Sequence, residues 1–192
     1  MQEYNRFCMF RYLINKILVY FYLHSPNRRL IEEDLDHWKE IFHWTDDYMT
    51  TIKRLFVDKP EYRNLFYYRI GGKRVFSQLF YFFYPPLPTL YIWSQHIGGG
   101  LFIQHGFATV IAADRIGRHC FINQQVTIGY KGDYAPVLGD NVVVTCGAKV
   151  LGNISVGNNV VIGANAVVVK DVPNDVTVVG VPAHILKGRC ES

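Results

Sequence analysis

The stretch LFIQHGFATVIAADRIG, residues 101 to 117, places one histidine, His105, among aliphatic and glycine-bearing segments with no carboxylate before Asp114. An imidazole with an unperturbed pKa near ~6.5 accepts a proton at neutral pH and returns it later in a reaction. His105 is therefore a candidate general base. Neutral hydrogen-bonding groups, Gln104, Asn123, Gln124 and Tyr134, are candidates for holding the group that loses the proton. His96, His119 and His184 read as surface or corner residues, and Asp114 and Asp133 as solvated turn residues. The four cysteines, Cys8, Cys120, Cys146 and Cys190, form neither a C-x-x-C pair nor a disulfide pattern, so free thiols are expected. No histidine or cysteine spacing matches a metal site, and no metal is expected.

These side chains must be positioned by a repeat of six. Aliphatic residues fall at Ile97, Ile103, Val110, Ile116, Ile122 and Ile128, then at Leu138, Val144, Val150, Val156, Ile162 and Val168. A second register four residues on is mostly apolar or small, as at Leu101, Cys120, Val126, Val142, Ala148, Val160 and Ala166. A 3.6-residue helix would smear such a stripe around its surface. A β-solenoid stacks it into one buried column, with three short strands to a turn and four turns from twelve repeats. The one seven-residue step, Ile103 to Val110, spans His105. Stacking places Gln124 over His105 and Asn123 over Gln104. A four-residue insertion between Ile128 and Leu138, GYKGDYAP, is expected to fold over the site, with Gly129 permitting close backbone approach.

Up to about Tyr84 the period is helical, as in Leu35, Trp38, Ile41 and Phe42. Thr45 is expected to cap one helix, and Asp58 with Glu61 to form a capping box for another that Gly71 and Gly72 end. The segment PPLPTLYIW reads as an extended linker. A dispersed net charge of +4 argues against nucleic acid and suits a small anionic ligand. The longest clean apolar run near the N-terminus, Ile17 to Leu23, is far short of the ~20 residues of a spanning helix, so a cytoplasmic location is expected. The aromatic stretch from Phe66 to Trp93 reads as helix packing and subunit contact, with peripheral membrane docking as the alternative.

IGGGLFIQHGFATVI, INQQVTIG, GAKVLGNISVGNNVVIGANAVVVKDVPND and VVGVPAHI together resemble the serine acetyltransferase family of hexapeptide-repeat acyltransferases, over about residues 89 to 188. The resemblance implies an α+β chain: an α-helical N-terminal domain (1–88), a left-handed parallel β-helix of about four coils (89–188) and a short tail (189–192). It implies His105 as general base and acetyl-CoA as co-substrate, bound in a groove between subunits of a homotrimer that can pair further. By position it implies cofactor contacts at Gly129, Tyr130, Cys146, Gly147 and Ala164, with Lys187 and Arg189 near the phosphates, and matches Gln124 to a family glutamine.

The chain also departs from that pattern. Leu90 stands where the family has the aspartate that orients the base, Gln104 replaces a second aspartate, and Tyr134 and Ala135 replace an arginine and histidine that help hold the amino acid. A zwitterion needs opposite charges around it, whereas a sugar hydroxyl needs neutral partners and aromatic surface. The expectation from the residues is therefore an O-acetyltransferase acting on a sugar or polysaccharide intermediate. Serine O-acetylation is the alternative, and a non-catalytic scaffold the third reading.

Overall fold

The computed structural model describes residues 14–71 and 81–186. The first thirteen residues, Cys8, Gly72, Lys187, Arg189 and Cys190 lie outside the described residues. Residues 14–23 form helix α1, followed by α2 (Arg28–Phe42), α3 (Tyr48–Asp58) and α4 (Pro60–Arg69). Helix α2 buries Ile31, Asp34, Leu35 and Trp38, the stripe expected of one helical face. Two helix starts differ from expectation. Asp47, not Thr45, caps α3, accepting from the Met49 and Thr50 amides at 2.9 and 3.2 Å. Asp58 is the last residue of α3, so it forms no box with Glu61; α4 opens on Pro60, whose missing N–H costs nothing at that position. No described helix is long and apolar enough to cross a membrane.

The rest is a parallel β-helix with three faces. Face A stacks β1 (Leu90–Ile92), β4 (Thr109–Ile111), β7 (Thr127–Gly129), β10 (Lys149–Leu151) and β13 (Val167–Val168). Face B stacks β2 (His96–Ile97), β5 (Arg115–Ile116), β8 (Val137–Leu138) and β11 (Ser155–Val156). Face C stacks β3 (Phe102–Ile103), β6 (Phe121–Ile122), β9 (Val143–Val144), β12 (Val161–Ile162) and β14 (Thr177–Val179), and ends in β15 (His184–Ile185), which pairs antiparallel to β14. Face A has five strands, so the stack is one turn taller than the aliphatic count of four. The extra turn comes from the ends: β1 lies inside the segment read as a linker, and in the last turn face B is reduced to a bridge between Val156 and Val172.

Inside the prism, Ile116, Ile122, Ile128, Leu138, Val144, Val150, Ile162 and Val168 form a column shut off from water. Each contributes about 1.5–3 kcal/mol of apolar burial. The second register, including Cys120, Val126, Val142, Ala148, Val160 and Ala166, is also buried. One position is out of phase: Val110 pairs outside with Tyr91 and Thr127, and Ile111 points inward beside Ile128. The corner before β4 therefore holds two residues more than a plain repeat, and the corner after it one fewer.

The corner from face B to face C is held by a ladder. Asp140 Oδ1 accepts from the Arg118 amide at 2.7 Å, Asn158 Oδ1 from the Asp140 amide at 2.7 Å, and Asn174 Oδ1 from the Asn158 amide at 2.8 Å. Gly117 fits beneath this ladder because a Cβ there would lie 2.4 Å from backbone atoms of Gly139 and 2.3 Å from Asp140 Oδ1. The helices dock on the first turn. Arg69 makes a buried bidentate pair with Asp34 (2.8 and 3.0 Å) and donates to the Ile97 and Gly98 carbonyls, both at 2.6 Å. Trp38 Nε1 and His37 Nδ1 donate to the Leu101 and Gly100 carbonyls, and Asn64 Nδ2 to those of Leu87 and Leu90. Leu65 of α4 enters the β-helix core alongside Leu90 and Ile103.

Candidate functional site

His105 sits on the corner from face C to face A, between β3 and β4. In later turns that corner has a single left-handed residue, at Gln125, Gly147 and Asn165. Here three crowd together: His105 (φ 61), Gly106 (φ 23) and Ala108 (φ 51). A left-handed non-glycine residue costs about 1–3 kcal/mol and persists only where its surroundings fix it. They do: the Gln104 amide donates to Ile122 O at 2.9 Å before the bulge, and the Gln125 amide donates to Phe107 O at 3.0 Å within it. The bulge lifts the imidazole into solvent, where no described side chain partners it.

The stacking read from the repeat holds as far as Gln104, which the pairing of Ile103 with Ile122 sets by Asn123. Past the bulge the Gln125 amide meets Phe107 O, as the Gly147 amide meets Gln124 O one turn on, so Phe107, not His105, stands at the level of Gln124, and His105 comes two residues before it. One turn on, the Gly147 amide donates to Gln124 O at 3.0 Å, and beyond it the Asn165 amide donates to Cys146 O at 2.9 Å. Phe107, Gln124, Cys146 with Gly147, and Ala164 thus form one column, and His105 lies on the same corner two residues before Phe107. The amides of Gln124, Cys146 and Ala164 donate to no acceptor among the described residues. Such a row of open N–H groups can take the amide oxygens of an extended arm, or an oxyanion at the His105 end. Two side-chain acceptors here, Asn123 Oδ1 and Gln124 Oε1, are shielded from water and have no partner. Buried acceptors without donors are uncommon and mark places where a ligand can supply them.

The other predicted residues stand elsewhere. Gly129 closes β7 at the far end of face A, buried beside Leu151, and the loop after it is a hairpin in which the Lys131 amide donates to Tyr134 O at 3.0 Å. Tyr130 and Tyr134 are 51% and 61% exposed, so a large part of each side chain faces solvent. Within one chain, then, the loop and His105 occupy opposite ends of the face A strands, rather than one covering the other. Asp114 and Asp133 are exposed, Asp133 on the same hairpin. His119 sits on the face B to face C corner, its ring 5.3 Å from that of His37. Cys120 points into the core, where burial pushes its thiol up to about 12. Among the described residues no group of three or more histidine, cysteine or acidic side chains is arranged to hold a metal ion.

Sequence reasoning missed one residue at this corner. Glu61 of α4 brings its Cγ to 3.0 Å from where a Cβ on Gly106 would be, and its Oε2 is buried with no hydrogen-bond partner. The usable signal was spacing: Glu61 lies four residues before Leu65, hence on the helix face that meets the β-helix.

No family model matches the chain. It is similar to the serine acetyltransferase of Synechococcus elongatus, at 50% identity over 98 residues that cover 48% of this chain and 40% of the relative. Similarity to the serine acetyltransferase of Staphylococcus xylosus is 51% over 99 residues, 49% of this chain and 46% of that one. The matched stretch thus spans less than half the length of these curated relatives. Among solved structures, that of Neisseria gonorrhoeae serine acetyltransferase in complex with serine superposes with a TM-score of 0.62 at 27% identity, covering 83% of this chain and 69% of that one. Entamoeba histolytica serine acetyltransferase 1 in complex with L-cysteine gives 0.61 at 28%, covering 80% and 63%. A left-handed hexapeptide β-helix, helices docked on its first turn and half of the residues shared over the matched stretch make the chain similar to serine acetyltransferases in both fold and sequence.

Proposed function

We propose that the chain is an acetyl-CoA-dependent O-acetyltransferase with the hydroxyl of L-serine as acceptor. One observation carries the reading: an exposed histidine on a widened corner of a β-helix similar to that of serine acetyltransferases, on the same corner as a column of open amides. His105 removes the acceptor's hydroxyl proton as the oxygen attacks the thioester carbonyl. The tetrahedral intermediate places its negative charge against backbone N–H groups of the corner. When the C–S bond breaks, the imidazolium returns the proton to the departing thiolate, leaving O-acetylated acceptor and coenzyme A. Along the same column, the Cys146 and Ala164 amides, with Gly147 leaving room, are suited to the pantetheine arm. Gly129 and Tyr130 in the loop region, and Lys187 beyond the described residues, remain assigned to the cofactor.

The acceptor assignment departs from the sugar expected from the residues. The curated relatives named for serine, and the Neisseria protein holding serine, weigh toward the amino acid. A sugar hydroxyl is the second reading, favoured by the uncharged groups Gln104, Asn123, Gln124 and the exposed Tyr134. We read the site as completed between subunits of a homotrimer, because the loop and His105 stand at opposite ends of face A in one chain. Thiol release from acetyl-CoA, offered L-serine and then a panel of sugars and nucleotide sugars, tests the proposal. Serine-dependent release lost in His105→Ala is the expected result. Release with sugars alone replaces the acceptor, and coenzyme A binding without turnover on any acceptor replaces the enzyme with a scaffold.

A further inference from the structure

A carboxylate oxygen with no partner is buried one residue along the corner from an imidazole with no partner. Glu61 Oε2 is the first and His105 the second. The glycine between them makes the approach feasible: a Cβ at position 106 would lie 3.0 Å from Glu61 Cγ and 3.1 Å from both Leu90 Cδ2 and Ile103 Cγ2. Gly106 therefore leaves the space that Glu61 Cγ approaches, together with Leu90 of β1 and Ile103 of β3. Helix α4 cannot slide to relieve Glu61, because Leu65 is fixed in the β-helix core and Asn64 is bound to the Leu87 and Leu90 carbonyls at 3.0 Å. A carboxyl oxygen held out of water this way calls for a hydrogen-bond partner.

Other charges nearby do not supply one. Arg63, on the same helix, is turned to the Phe56, Val57 and Pro85 carbonyls, and Asp58 carries the same sign as Glu61. Lys149, on the next corners of face A, is bound to Gln125 O at 2.5 Å. Gln124 and Cys146, on the same corner in the next turns, carry no cationic donor.

We propose that Glu61 is the positioning carboxylate of His105. Turned inward over Gly106, the imidazole donates its Nδ1–H to Glu61, which leaves Nε2 as the basic nitrogen and balances the charge formed when the acceptor's proton arrives. The role rests on the acetyl-transfer reading above, but the pair itself is open to a test that needs no turnover. Residue-resolved NMR titration of the His105 ring, assigned by its absence in His105→Ala, is expected to show about three- to tenfold weaker proton affinity in Glu61→Gln than in the unaltered protein. In turnover, Glu61→Gln is expected to lower kcat at least tenfold, leave both KM values within about twofold, and move the acid limb of kcat/KM to lower pH. Because the Leu90 side chain ends at the same spot, Leu90→Asp added to Glu61→Gln is expected to restore part of both the rate and the titration. Should Glu61→Gln fail to fold, Glu61→Asp serves in its place, with a smaller shift in the same direction.

An unchanged His105 titration overturns the pairing whatever the activity. A raised acceptor KM with kcat intact overturns it too, by making Glu61 a substrate contact. A protein that releases no thiol with any acceptor overturns the enzyme reading instead, while the titration still decides the pair.

Discussion

General bases contribute about 10²- to 10⁴-fold to rate, so His105→Ala is expected to cut kcat by that much. Coenzyme A affinity is expected to stay within about twofold, since the open amides at Cys146 and Ala164 belong to other turns; calorimetry reads the second quantity and thiol release the first. The two described cysteines give an independent check on the column. Cys120, buried and raised to about 12, has almost no thiolate at pH 8, whereas Cys146 is half-buried on the corner. Iodoacetamide is expected to label Cys146 and spare Cys120 in the folded protein, and saturating coenzyme A to slow labelling at Cys146. Modification of native Cys120, or indifference of Cys146 to coenzyme A, would contradict the placement. The place of His105 on its corner and of Gln104 by Asn123 were legible because a repeat of six converts sequence separation directly into vertical distance, whereas the bulge that sets Phe107 rather than His105 at the level of Gln124 was not. Glu61 was not, because it arrives from a helix whose docking angle no periodicity encodes, and its charge suggested a cap.

Strands and corners follow a different logic, in which backbone meets backbone. Gly117→Ala would drive a methyl into the Gly139 peptide, which has no flexible end to yield, and is expected to cost about 1–3 kcal/mol or more. Gly132 (φ 64) has nothing within 4 Å of an added Cβ, so Gly132→Ala bears only the left-handed backbone penalty of about 1 kcal/mol. Thermal melts of the two variants separate steric from torsional cost; equal losses would mean that the ladder has room to shift. The aliphatic series predicted the faces well because each strand offers one inward side chain. It failed by one phase at Val110, where the His105 corner takes two extra residues and the next gives one back. It also passed over β1, whose Tyr91 points outward after a proline-rich run. The start of α3 was misread among Thr45, Asp46 and Asp47, since all three are good caps and only the folded chain chooses.

At the scale of the assembly, opposite placement of His105 and the Tyr130–Tyr134 hairpin makes a testable statement about subunits. His105→Ala and Tyr130→Ala/Tyr134→Ala, each defective alone, are expected to regain activity when co-expressed, because some mixed interfaces pair an intact histidine with an intact hairpin. No recovery, together with light scattering that shows an active monomer, would put the whole site in one chain. The helical half was legible as helices but not as a partner of the first turn, since the Asp34–Arg69 pair and Trp38 find their carbonyls only in three dimensions. That docking has an effect on growth in the polymer sense. Repeating parallel strands present the same unpaired edge at both ends of the stack, and such an edge is a template for another copy. Here the carbonyls of Leu90, Ile97, Gly98, Gly100 and Leu101 are taken by side chains of α2 and α4, and β15 runs the wrong way for a sixth parallel layer on face C. The column is thus stopped at its first turn on all three faces and at its last on face C, which keeps a fibre-forming repeat a molecule of fixed height.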